Sequence, residues 1–286
     1  MSSLKQSLLA AASLAVLATA GTASAAPVTF NPSASTPTLS ANAPSYTLTD
    51  LIFSQYSNIF VANSNGNFTE SGILSVDGIK NGPTNLNPAG FQGFPGANPY
   101  GYYITFKATG TSSGAVANST GSFLTLTAML YGDVGNNDGG LVATTSGASF
   151  TGSTAGDVLL ATGTLLGGNV TLQPNTPNAI AAGGSPLLPA ATAQVQFTSA
   201  NNQSPFFGNP TTISLELDSA FTNSSSVTAL SNGTDSNGNA GVNLTINGGG
   251  GNGTLTSLTT PVPEPASMAL LGAGLAAVGL VRRRRA

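Results

Sequence analysis

Apolar residues recur at every second position through much of this chain, and no long segment between residues 26 and 260 repeats every 3.6. An extended strand with that alternation has one apolar face and one polar face, so its apolar face must be buried against another sheet layer. Tyr100, Tyr102, Ile104 and Phe106 alternate with Gly101, Tyr103, Thr105 and Lys107. Leu124, Leu126, Ala128 and Leu130 alternate with Thr125, Thr127 and Met129. Val195 with Phe197, Ile213 with Leu215 and Leu217, and Val242 with Leu244 and Ile246 continue the pattern. Shorter candidate strands lie at 46–53, 57–62, 72–76 and 157–166. Turn-forming clusters separate them: Asn81-Gly82-Pro83, Gly135 to Gly139, Gly183-Gly184 and Asn232-Gly233. The expected fold is all-β, a single antiparallel β-sandwich or jelly-roll-like domain over residues 45–247. Four prolines among Ser, Thr and Ala mark 26–44 as an extended lead-in, and Gly- and Thr-rich 248–260 reads as a flexible stalk.

The two ends have a different composition. Met1 to Ala25 reads as a secretory signal peptide: Lys5 supplies the positive start, Leu8 to Ala20 the apolar stretch, and Ala23 and Ala25 the small residues of a signal-peptidase site. At the other end stand Pro261, Val262, Pro263, Glu264 and Pro265, then an apolar run from Ala266 to Val281, then Arg282, Arg283, Arg284 and Arg285. Sixteen residues of helix reach about 24 Å, somewhat short of a hydrocarbon core of about 30 Å. Arginine snorkelling and local thinning cover the difference, so 266–281 is expected to be a transmembrane helix. The arginines favour the cytoplasmic side, which puts everything before Pro261 outside.

Val262-Pro-Glu-Pro-Ala266, the Gly/Ala/Leu-rich span and the terminal arginines together resemble the PEP-CTERM sorting signal of Gram-negative bacteria. The resemblance implies recognition and processing by an exosortase, transient or retained anchoring in the inner membrane, and export to the cell surface or extracellular matrix. A permanent single-span anchor without processing is the competing reading of the same residues.

A broader resemblance covers the middle of the chain. Asn65-Gly-Asn-Phe-Thr-Glu70, Tyr100-Gly-Tyr-Tyr-Ile-Thr-Phe106, Leu126-Thr-Ala-Met-Leu-Tyr-Gly-Asp133 and Gly156-Asp-Val-Leu-Leu-Ala161 are similar, in that order, to motifs of flocculation-associated PEP-CTERM proteins. The Asn/Gly-rich stretch 231–253 has no place in that pattern. The resemblance implies a protein held in exopolysaccharide and needed for cell aggregation, with no catalytic residues and no cofactor.

Composition restricts the chemistry independently. With both ends set aside, two lysines face nine acids, a net charge of −7, which leaves no basic footprint for nucleic acid. The chain has no His and no Cys, which removes Ser-His-Asp and Cys-His catalysis, disulfides and common zinc sites. A glycosidase pair built from Glu70, Glu216 or the aspartates is the one enzymatic alternative, and no enzyme is expected. Two loops are rich in hard oxygen ligands: Asp133, Asn136, Asn137 and Asp138, and Asp235, Asn237 and Asn239. Asp133, Asp138 and Asp235 are therefore weak calcium candidates, but Asn and Asp also dominate ordinary turns, and the turn reading is preferred. A carbohydrate-binding module is the alternative function. Its candidate platform is Tyr103, placed by alternation on the face opposite Tyr100, Tyr102 and Phe106; core packing of the tyrosines is the preferred reading.

Overall fold

The structure, a computed structural model, describes residues 27–92, 98–113, 119–174, 187–200, 203, 206–207, 212–218, 227–235 and 237–257. The expected signal peptide Met1 to Ala25, the expected membrane helix 266–281, the signal-peptidase and sorting residues and the Gly183-Gly184 turn all lie outside that set.

The described residues form β-strands joined by turns and one short 3-10 turn at Pro32–Ala34. The first strands are β1 (Val28–Phe30), β2 (Tyr46–Leu48), β3 (Asp50–Ala62), β4 (Asn67–Asn81) and β5 (Thr84–Leu86). β6 (Tyr100–Ser112), β7 (Thr120–Val134), β8 (Leu141–Thr144), β9 (Gly147–Phe150) and β10 (Val158–Pro174) follow. β11 (Leu187–Ser199), β12 (Thr212–Asp218), β13 (Val227–Thr234) and β14 (Ala240–Ser257) complete the order.

The all-β antiparallel reading holds, and the sheet closes on itself. β3, β4, β6, β7, β10, β11, β12 and β14 each pair antiparallel with the next, and β14 pairs back onto β3. Chain order and spatial order coincide around the ring, so this is an up-and-down barrel without the crossovers of a jelly roll. Closure satisfies the backbone groups that an open edge would leave unpaired. β14 makes closure possible by serving two partners along one edge: Ala240–Ile246 pairs with β13 and Asn252–Ser257 with β12.

Residues 248–257 are therefore a barrel strand and not the expected stalk. Glycine is what the packing requires there. Gly248 sits at φ +76 beside the register shift between Asn247 and Gly249, a backbone conformation that permits the bulge. A Cβ on Gly253 would lie 2.7 Å from both Leu215 and Phe53, two core side chains that occupy the space it leaves. Likewise Asn232-Gly233 is not a turn: both residues pair within β13, and the chain reverses at 235–239 instead.

An eight-stranded barrel is just wide enough for its interior to be filled with side chains. Here Phe53, Leu74, Tyr102, Ile104, Leu130 and Val195 are among those packed inside. The outer wall presents polar side chains such as Thr125, Thr162 and Gln194. That is the reverse of a lipid-facing barrel, whose outside is an apolar band. A bulge between β6 and β7 breaks the alternation: Thr109 and Gly110 pair with Thr125 and Phe123, leaving Leu124 unpaired and 62% exposed. Phe123 turns toward Phe68 in its place, ring to ring at 5.5 Å.

Residues 27–48 pack into the same core instead of leading up to it. Phe30 lies among Tyr46, Tyr102, Phe206 and Phe207, with ring centroids 4.9–6.2 Å away. The Asn31 amide donates to the Phe206 carbonyl at 2.7 Å, and the Tyr46 and Tyr102 hydroxyls share a hydrogen bond of 2.7 Å. A smaller second cluster holds Ile59, Val61, Phe68, Leu244 and Ile246. Between the two lies a polar layer of Gln55, Ser57 and Glu70, all buried. The Gln55 amide donates to Glu70 Oε1 at 2.8 Å and the Ser57 hydroxyl donates to it at 3.0 Å.

Candidate functional site

The β8–β9 hairpin folds back over the outside of the barrel, against β3, β4 and β14. Asn247 holds it: its Oδ1 accepts from the Ala143 amide at 2.6 Å, and its Nδ2 donates to the Ala143 carbonyl at 3.2 Å. The hairpin covers outward-facing aromatics. Tyr103 stacks on Tyr131 at 5.1 Å and meets the Phe150 ring edge-on at 4.7 Å. Alternation placed Tyr103 correctly on the face opposite Tyr100 and Tyr102, but it is only 5% exposed, so no sugar can stack on it. Beside the hairpin tip is a groove of ≈360 Å³ lined by Ser71, Ile73, Thr105, Lys107, Thr127 and Met129, with no carboxylate among its lining residues.

At the base of the hairpin three aspartates converge. Asp133 is on β7, Asp138 is in the turn that follows, and Asp157 directly precedes β10. One carboxylate oxygen from each lies within 4.8 Å of the others. The sheet register accounts for the first pair: Gly132 is opposite Val158, so the next residues outward are Asp133 and Asp157. The turn brings in Asp138, helped by left-handed Gly135, Asn136 and Gly139. The Asp138 carbonyl accepts from the Gly152 amide at 2.6 Å, which fixes the turn against the residues that follow β9.

The Tyr103 hydroxyl donates to Asp157 Oδ2 at 2.6 Å, and the Asn137 amide donates to Asp133 Oδ1 at 3.2 Å. Asp138 Oδ1 and Asp157 Oδ1 are buried without a hydrogen-bond donor, and the two carboxyls can bond each other only by sharing a proton. Burial raises the pKa of all three carboxyls. For Asp138 the neighbouring charges of Asp133 and Asp157 add to burial, and its pKa rises to about 7. Burial, and then the hydrogen bond to Asp157 and the charge of that carboxylate, also raise the pKa of the Tyr103 hydroxyl. Tyr103→Phe removes the hydroxyl that donates to Asp157 Oδ2 while keeping the ring. It is expected to cost about 1–3 kcal/mol in urea unfolding, the range for leaving a buried polar group unpaired. A loss close to zero would mean that water replaces the hydroxyl.

Of the sequence candidates, Asp133 and Asp138 meet here, and Asp235 does not. Asp235 is at the β13–β14 turn, where its carboxylate accepts from the Asn237 amide and from the Asn239 amide and side chain at 2.8–2.9 Å. The Asn239 side-chain bond chiefly lowers its pKa, as expected of a carboxylate that organises its own turn. Asp157 stands in the quoted run Gly156-Asp-Val-Leu-Leu-Ala161, but only the strand register shows that it faces Asp133.

No curated protein and no solved structure matches the chain. Residues 261–285 match the model of the PEP-CTERM protein-sorting motif. The chain carries a PEP-CTERM sorting signal. The match spans Val262, Pro263, Glu264 and Pro265, the apolar run and the arginines, as read from the sequence. The PEP-CTERM motif marks an exosortase substrate, exported and anchored at the membrane before processing. It begins a few residues after Ser257, the last residue of β14, so the barrel is the cargo of the PEP-CTERM signal.

Proposed function

We propose that this chain is a non-catalytic surface or extracellular-matrix protein that promotes exopolysaccharide-associated cell aggregation after exosortase processing. The observation that carries the reading is the PEP-CTERM motif at 261–285, which addresses the barrel to the outside of the cell. The barrel itself supports a bulk role. Its interior is filled with side chains. Charged residues are few, and Ser, Thr and Asn are abundant, so the surface offers hydroxyls and amides suited to contact with neutral polysaccharide. The motif resemblance to flocculation-associated proteins points the same way.

The test is deletion of the gene in the producing organism. Cells are expected to lose floc or biofilm cohesion while making the same amount of polysaccharide. Normal flocculation by the deleted cells overturns the proposal.

A further inference from the structure

We propose that Asp133, Asp138 and Asp157 form a calcium-binding site at the base of the β8–β9 hairpin. The site is independent of the aggregation role.

Ligand oxygens around one calcium ion lie about 2.3–2.6 Å from it, so two of them are at most about 5 Å apart. The three carboxylates meet that limit, with one oxygen from each within 4.8 Å of the others. Asp133 and Asp157 are forced together by the barrel register, because they continue the Gly132–Val158 pair. Like charges directly opposite on neighbouring strands destabilise a sheet unless something neutralises them. Among the described residues no basic side chain does so. Lys80 and Lys107 are the only basic residues between 27 and 257, and neither acts on Asp138 or Asp157.

The second observation is the orphaned oxygen. Asp138 is 6% exposed, and its Oδ1 has no donor; its carboxyl meets that of Asp157, an acceptor pair that only a shared proton or a cation can join. Asp157 Oδ1 is in the same state. A buried carboxylate oxygen without a partner is costly, and a cation coordinated there removes the cost for both.

Ligand chemistry selects the ion. With no His or Cys in the chain, the set is all oxygen, which suits calcium, magnesium or manganese and disfavours zinc and copper. Calcium accepts irregular coordination completed by backbone carbonyls and water, whereas magnesium requires near-octahedral geometry. An irregular turn with three left-handed residues fits the former. Calcium modules outside the cell bind at about 10⁻⁴–10⁻³ M, the range expected here.

The experiment uses the protein isolated after export, treated with EDTA and dialysed. CaCl2 added to about 5 mM is expected to raise the melting temperature by several degrees and to saturate. Tb³⁺ gives an independent readout: the chain has no Trp, and Tyr103 contacts Asp157, so tyrosine-sensitised emission reports this site. Calcium should displace it. Asp138→Asn is expected to lose the calcium shift and the emission while melting in EDTA no lower than the wild type, because repulsion is relieved. Asp235→Asn should keep both signals. The absence of a shift and of emission in the wild type, or their retention in Asp138→Asn, overturns the site. An equal shift with MgCl2 overturns the assignment to calcium.

Discussion

Glu70→Gln should stabilise the barrel at about pH 8 relative to the wild type, and this advantage should shrink by about 3 kcal/mol on going to about pH 4. Glu70 is 8% exposed inside the barrel, and burial raises its pKa from 4.5 to about 7 against the opposing hydrogen bonds from Ser57 and Gln55. The folded state therefore holds the proton more tightly than the unfolded chain. That contribution is complete below 4.5 and is lost as pH rises through about 7. A shift of that size at about 1.36 kcal/mol per pH unit gives the stated change. Glutamine is neutral at every pH and keeps a carbonyl oxygen for the two donors. Urea unfolding of both proteins across the range checks it. A difference between them that does not vary with pH would mean that water or an unrecognised partner compensates the carboxylate.

Phe30→Ala should cost about 3–5 kcal/mol, the range for deleting a fully buried aromatic. Phe30 is 0% exposed and touches rings from three other parts of the chain, Tyr46, Tyr102 and the Phe206-Phe207 pair. In a domain of this size such a loss lowers the melting temperature by about 10 °C. Thr125→Ala, on the outer wall, should be nearly neutral by comparison. A Phe30→Ala loss under about 1 kcal/mol would mean that residues 27–45 are only a tether and contribute little to the core.

Alternation revealed most staves because one face of each is buried. Tyr100, Tyr102 and Ile104 face inward as their spacing requires. Closure was not legible, since alternation says which face is inside but not which strands share an edge. It depends on β14, whose glycines carry no hydrophobic signal and resemble a linker. Leu124 shows the other limit: a single-residue bulge shifts the phase, and no local propensity marks it. In the acidic site Asp133 and Asp138 were visible as neighbours in one loop. Asp157 was hidden because the whole β8–β9 excursion separates it from them. Only the pairing of the flanking strands brings it back.

The seam between β3 and β14 sets the order of events in biogenesis. Asp50 pairs with Thr254, so the ring is completed by residues some two hundred positions apart in the chain. Pairings that distant are the slow ones in folding. A polypeptide still threading through the membrane lacks its last stave until almost everything ahead of the sorting motif has crossed. An emerging chain thus remains an open sheet with two unsatisfied margins, β3 and β12, and β14 bridges them only when the hydrophobic tail is about to enter the bilayer. Anchoring by that tail would hold the unfinished cylinder at the membrane surface during the interval in which it is most able to pair with a neighbour.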